Sequence, residues 1–410
     1  MNIREFLNYV SNNNIFYKSI IDSCNIVDSL DIKQYPILTR EHLQRKRYDM
    51  FSVGYQNKYY WQQLIRKSSS GSTGIPINVY WDYQDYYATM KEMWHRRRKY
   101  YGILPNDNQI TFSFIKNDAE KAENGIAYLN DPPNILNINV DMLFSGDLHQ
   151  KLIQLINSFN PIWLYIRPWI LQKLLSIYKE ANQTIPTLRY IESYGELLSP
   201  QLQHAAIDFF GVPVANMYGS EEVNTIAYEC PHHRMHIIKN NVFAECYRDN
   251  SFYEDGEGEL IITSLTNKAM PLIRYNQGDI VKIRKLKDSC PCGSSEPIIE
   301  KIYGRSIETI KLDASNELTP LVFLDLMASI INLYDSAIVH YKFVYSRSSK
   351  KVICYIVLNK KFQSWYNNIT NSINEEFRRR MGTMSLTIEI VSESLHKING
   401  NKSKIFEIVN

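Results

Sequence analysis

Residues 67–82 read KSSSGSTGIPINVYWD, and the first half of that stretch could hold an anion. Gly71 and Gly74 permit positive φ, so successive backbone N–H groups can converge on one charged oxygen. Ser69, Ser70, Ser72 and Thr73 add hydroxyl donors. A solvated hairpin turn would use the same composition. A Walker A loop is excluded: it needs Lys after its last glycine, and Gly74 is followed by Ile75 and Pro76. A turn and a phosphate-binding nest both remain open from the loop alone.

The elements around the loop are those of a mixed α/β protein. Residues 188–222 read strand, loop, helix, strand, loop, the signature of an α/β unit. Residues 258–286 read as strands around a polar loop. Past IYGR (302–305) the texture changes. SAIVHYKFVYS and KKVICYIVL alternate like a hairpin, followed by a helix near 362–381 and a strand LTIEIV. The expected organisation is a large α/β N-terminal domain, 1–303, with a barrel-like β part. A hinge at 304–308 then leads to a small α+β domain, 309–410.

Six segments in fixed order carry a family resemblance. They are SSGSTGIP, YGELLS (194–199), MYGSEE (217–222), MPLIRYNQGD (270–279), IYGRSIE (302–308) and NGNKSKIF (399–406). From YPILTREHL at 35 onward the chain resembles the adenylate-forming acyl/aryl-CoA ligases. Within them it resembles the phenylacetate-CoA ligase branch, especially its capsular-polysaccharide-associated members.

The resemblance implies ATP-dependent activation of a carboxylic acid, aromatic by family habit, and transfer to the thiol of CoA. A carrier-protein thiol or an amine is the alternative acceptor. Glu222 takes the family position for Mg²⁺, and Asp279 the position that accepts from the ribose hydroxyls. Tyr218 would lie against adenine, with Gly219 and Ser220 beside it; Gly195 and Glu196 would shape the pocket wall. Arg305 at the hinge can reach ribose and phosphate, and Lys402 matches the adenylation lysine, among neighbours Lys397 and Lys404. Three departures stand out. Ile75 and Ile77 replace a loop lysine, Glu308 replaces the usual hinge Asp, and Glu221 stands where the family has Thr or Ser. An extra carboxylate at 221 would repel a nucleotide unless it turns away or shares a metal, so a nucleotide-binding scaffold without catalysis is a further alternative.

Some relatives in this branch carry Cys-x5-His followed by Cys-x-Cys. Here that pattern falls on Cys230, His236, Cys290 and Cys292, a donor set suited to a structural Zn²⁺. His232 or His233 could supply the nitrogen instead, and two unrelated cysteine-bearing loops are the alternative. Cys24, Cys246 and Cys354 sit in apolar surroundings and read as buried small residues.

In NPIWLYIRPWILQKLL (160–175), Trp163, Tyr165 and Trp169 are candidates for the acyl pocket or the core, with core expected for two of the three. Arg167 either pairs with an acidic substituent or faces solvent. The totals set outer limits. The chain has 410 residues, too many for one ordinary core, and a net charge of +3 that attracts neither nucleic acid nor membrane. The basic runs HRRRK (95–99) and FRRRM (377–381) read as helix ends. Tyr83, Tyr86, Tyr87, Met90 and Trp94 mark the apolar face expected before the first run. No 18-residue apolar run exists, and six sparse cysteines suit a reducing cytoplasm.

Overall fold

The computed structural model describes residues 1–45, 48–69, 77–113, 115, 120–121, 127–305, 310–311, 317–318, 320–334, 337–358, 360–381, 384–391 and 406–409. It is a mixed α/β structure of two compact units, residues 1–104 with 216–306, and residues 105–215 with 307–410. The chain crosses between them three times, the last time at 306/307.

The first unit is built on antiparallel strands. Val242–Arg248, Gly256–Ser264, Tyr275–Arg284, Ile298–Arg305, Met235–Ile237 and Asn224–Glu229 are neighbours in that order. Strand Asn224–Glu229 also pairs back onto Val214–Ser220. A hairpin of Ile65–Ser69 and Ile77–Trp81 brackets the glycine-serine loop. Its inner face joins the core: Ile77, Val79 and Trp81 are buried with Leu272, Tyr275 and Ile299. Burying side chains of this size contributes about 1.5–3 kcal/mol each.

Helix Tyr83–Tyr101 starts on Asp82, whose side chain accepts from the Gln84 N–H, and ends on Gly102 in the left-handed region. It departs from expectation in one respect. Its buried residues are Thr89, Met93, Arg96 and Arg97, whereas Tyr83 and Tyr87 are exposed. The basic run lies inside the helix, and two of its arginines point inward. Arg96 is matched by the Glu296 carboxylate at 2.7 and 2.9 Å, and Arg97 lies 4.5 Å from the Trp94 ring. Paired charge and ring contact offset the cost of burying guanidinium groups.

The second unit holds a parallel sheet in the order Tyr190–Tyr194, Trp163–Ile166, Gln109–Ser113, Ile135–Asn139. Helices Pro168–Ala181 and Pro200–Phe210 connect or follow its strands and share one apolar core with them. Trp163 and Trp169 belong to the buried set, while Tyr165 is half-buried and stacks on Tyr194 at 3.8 Å. The C-terminal part of this unit has its own core and a four-stranded sheet, ordered Ser385–Ile390, Lys351–Leu358, Ile338–Ser346, Phe406–Val409. Helices Pro320–Tyr334 and Tyr366–Met381 pack with it. The first of these helices and the final strand were not anticipated in sequence. Of the three cysteines expected to be buried, Cys246 and Cys354 are, but Cys24 is exposed. It caps the end of helix Ile15–Ser23, where the last turn leaves the core.

Candidate active site and metal centre

The segment 270–279 is fixed before it reaches the site. Arg274 is only 1% exposed and binds the Glu245 carboxylate at 2.8 and 3.1 Å. Its guanidinium also lies 3.5 Å from the Phe252 ring, and its carbonyl accepts from the Leu38 N–H. Beyond Asn276 the ladder shifts register, and Gly278 takes a φ of 86°. Only glycine adopts that backbone readily, and the resulting bulge re-aims the next side chain.

That side chain is Asp279. Its Oδ2 accepts from the Tyr218 hydroxyl and from Gln277 Nε2 at 2.9 Å. Gln277 Nε2 also donates to the Tyr218 oxygen at 2.7 Å. Arg305 is Asp279's partner across the strands, and its Nε lies 3.6 Å from Oδ1. Burial, together with the Asp279 charge, pushes the Tyr218 phenol well above its ordinary value. Tyr218 therefore stays protonated and donates.

The MYGSEE segment is a tight hairpin. A Cβ on Gly219 would meet the Asn224 carbonyl oxygen at 2.4 Å, so the strands approach this closely only with glycine there. The turn splits the two acids that follow. Glu221 is exposed, whereas Glu222 is 6% exposed and its Oε1 accepts from the Tyr275 hydroxyl at 3.4 Å. Burial raises the Tyr275 phenol, Glu222 raises it further, and Arg40 and Arg305 work the other way. Of these three groups, Glu222 is the one in hydrogen-bond contact with the phenol.

Tyr218, Asp279 and Arg305 are thus brought together; Glu222 is buried against Tyr275, four residues before Asp279 on the same strand, and Gly219 and Ser220 form their hairpin. Gly195 and Glu196 lie in the second unit. Gly195, at φ 81°, follows a strand whose last residue, Tyr194, carries Arg167 over its ring at 6.0 Å. Ser69 ends its strand. Ser70, Gly71, Ser72, Thr73, Gly74, Glu308 and Lys402 lie outside the described residues. Gln277, Tyr275 and Arg40 were not picked out by sequence reasoning. Gln277 lies two residues before Asp279 on the same strand, and that spacing was the available signal.

A second cluster joins strand Met235–Ile237 to two loops. One donor atom from each of Cys230, His236, Cys290 and Cys292 lies within 4.8 Å of every other. Cys230 and Cys290 sulfurs are 3.8 Å apart, and Cys292 Sγ is 3.4 Å from His236 Nε2. A tetrahedral zinc with bonds of about 2.0–2.3 Å would have ligand edges of roughly 3.5–3.8 Å, so the donors fit. The S···S separation is far from the ~2.05 Å of a disulfide. His236 Nδ1 lies 3.3 Å from the Glu296 carbonyl, which leaves Nε2 facing the sulfurs. His233 instead meets Glu229 at 3.0 Å, and neither it nor His232 belongs to the cluster. The geometry therefore selects His236. Burial pushes the Cys230 thiol up to about 12. Burial also opposes ionisation of Cys292, but the Ser294 N–H and the Tyr100 hydroxyl draw it below its ordinary value. Arg96 holds the carboxylate of the same Glu296 whose carbonyl meets His236.

No protein-family model matches the chain. Across 393 residues it is 23% identical to protein CapK of Staphylococcus aureus, covering 92% of this chain and 81% of CapK. It is 23% identical over 270 residues to phenylacetate-coenzyme A ligase of Thermus thermophilus, covering 64% of this chain and 56% of that ligase. Among solved structures, 2-hydroxyisobutyryl-CoA ligase in the postadenylation state aligns with a TM-score of 0.75, over 98% of this chain and 87% of that one, at 14% identity. In sequence the chain is similar to phenylacetate-CoA ligases, and in fold to 2-hydroxyisobutyryl-CoA ligase. Three of the six ordered segments, MYGSEE, MPLIRYNQGD and IYGRSIE, supply Tyr218, Glu222, Asp279 and Arg305. No helix among the described residues is long and apolar enough to cross a membrane.

Proposed function

We propose that this protein activates a carboxylic acid, of the aromatic class, as its acyl-adenylate and passes the acyl group to the thiol of CoA. In the first step a carboxylate oxygen attacks the α-phosphorus of ATP and pyrophosphate leaves. In the second, the thiol attacks the acyl carbon, loses its proton, and AMP leaves. The observation that carries the reading is the Tyr218–Gln277–Asp279–Arg305 network with buried Glu222 beside it.

Each group suits its part. Asp279 is a pre-positioned acceptor for ribose hydroxyls, held by two donors so that it needs no reorganisation when the nucleotide arrives. Arg305 neutralises negative charge beside it. Glu222 would hold Mg²⁺, a hard cation that takes carboxylate and phosphate oxygens and supplies charge neutralisation. Glu221 is exposed whereas Glu222 is buried, so the two adjacent acids need not act on the nucleotide together. Residues 67–76 would cradle the leaving pyrophosphate. Residues 304–308 would act as a hinge through which the 309–410 domain brings Lys402 to the carboxylate. Zn²⁺ at Cys230, His236, Cys290 and Cys292 would be structural, because four protein donors complete its shell. Reduced thiols there suit the cytoplasm.

The test is carboxylate-dependent ATP–pyrophosphate exchange over a panel of aryl and aliphatic acids, with Lys402→Ala alongside. Exchange with aryl acids, lost in the variant, is expected. ATP binding without exchange for any acid would overturn the reading.

A further inference from the structure

Within the second unit, a cavity of about 210 Å³ lies against helices Pro168–Ala181 and Pro200–Phe210. It shares no residue with the Asp279 site or the thiol cluster. Its wall is mostly apolar, with Trp169, Leu202, Leu324 and Tyr341 among the contributors. One wall residue is out of place there. Lys173 is 8% exposed and has no hydrogen-bond or ion-pair partner among the described residues. Most of the side chain is enclosed while its nitrogen keeps some solvent access, so the cation sits at an apolar wall with no counter-charge on it, a place an anion would complete. Gln201, on the same wall, has a buried Oε1 that is also unpartnered.

Two further features give the cavity a sign. Its described lining includes Lys173 and Lys179 and no carboxylate. Helix Pro200–Phe210 opens onto it through Ser199, Gln201 and Leu202, with Ser199 as the capping residue. The first turn of a helix favours anions. Burial also draws Lys173 below its ordinary value, against the opposing influence of Glu180. A bound anion would restore the charged form.

We propose that this cavity is a second small-molecule site, for a monocarboxylate with a compact apolar body about the size of one aromatic ring. Lys173 binds the carboxylate. The apolar wall takes the ring. The size follows from volume: an apolar cavity of about 150 Å³ holds benzene, so about 210 Å³ leaves room for one more small group. Leu324, Ile331, Ile338 and Tyr341 come from the part that the adenylation reading lets move, so the cavity is complete in this arrangement of the second unit, while its polar groups are separate from those of the Asp279 site.

The experiment is calorimetric titration of benzoate into the full chain without nucleotide, in wild type, Lys173→Met and Ala205→Phe. Inorganic phosphate serves as the control anion. Ala205 lines the cavity, and a phenyl group there fills it. Thermal melts establish that each variant is folded; Lys173→Met removes a buried charge and should melt no lower than wild type. The expected result is a benzoate site weakened at least about tenfold in Lys173→Met and absent in Ala205→Phe. Equal benzoate binding in all three proteins would place the ligand elsewhere and overturn the proposal, as would no binding in wild type. Phosphate binding as tight as benzoate would overturn the apolar half of it. The adenylation reading stands or falls separately, by pyrophosphate exchange.

Discussion

Asp279 and Arg305 face each other across adjacent antiparallel strands, and the carboxylate that Arg305 approaches at 3.6 Å is the one Tyr218 and Gln277 already hold. One acid is therefore fixed from three sides by side chains from three strands. Its orientation does not depend on a ligand being present.

Asp279→Asn should weaken ATP binding by roughly ten- to a hundredfold, because an amide cannot accept from all of those donors at once. Tyr218→Phe should cost less, about fivefold, since Gln277 still holds the carboxylate. Calorimetric titration with ATP checks both. Equal losses would mean that the phenol, not the acid, is the group that matters.

The two adjacent acids of the hairpin should behave differently. Glu222→Gln should abolish pyrophosphate exchange at ordinary magnesium concentrations, with partial recovery at high magnesium. Glu221→Thr should change the rate by less than about threefold, because Glu221 is exposed. A large gain in Glu221→Thr would show that the exposed carboxylate reaches the nucleotide after all.

The thiol cluster should bring one zinc per chain through purification, measured by elemental analysis. Cys290→Ser should lose it and lower the melting temperature. Arg96→Met keeps all four donors but frees the Glu296 carboxylate, so zinc should be retained yet lost to a competing chelator at about ten- to a hundredfold lower concentration. Unchanged competition would make the Arg96–Glu296 pair irrelevant to the metal.

Glu376 offers a pH-dependent check on helix Tyr366–Met381. Hydrogen bonds from Arg379, with Arg380 adding to them, hold its carboxyl at about 2. A depressed carboxylate contributes stability above its unfolded value of about 4.3 and loses it as pH falls through the folded value. The melting temperature of Glu376→Gln should therefore lie below wild type at pH 7, by the equivalent of about 0.5–1 kcal/mol. The gap should shrink below about pH 4.5 and close near pH 2. A gap independent of pH would mean that packing, not charge, holds the helix end.

The sequence made the elements of 188–222 and 258–286 legible, because glycine turns punctuate them and apolar runs keep a clear period, but not the strands between 224 and 253. It also made the cysteine pairs legible. The inward face of helix Tyr83–Tyr101 was not. Arg96 and Arg97 look like solvated charge until Glu296, two hundred residues on from Arg96, supplies a partner. Gln277 was hidden for a related reason: its role lies in a bulge set by Gly278, and no local pattern announces which side chains a bulge turns inward. Glu221 and Glu222 are indistinguishable by residue type, and only the hairpin geometry separates them.

The strand Phe406–Val409 lies parallel to Ile338–Ser346, and Phe406 packs against Phe323 in the core. On the other side, the Val391 N–H is bonded to the Ile356 carbonyl in the same sheet. Val391 and Phe406 are therefore both held by one sheet. A single cut in the chain between them would leave every residue present, yet release Phe406–Val409 from the covalent chain that carries the rest of that sheet, so the strand would have to find its edge again as a separate piece.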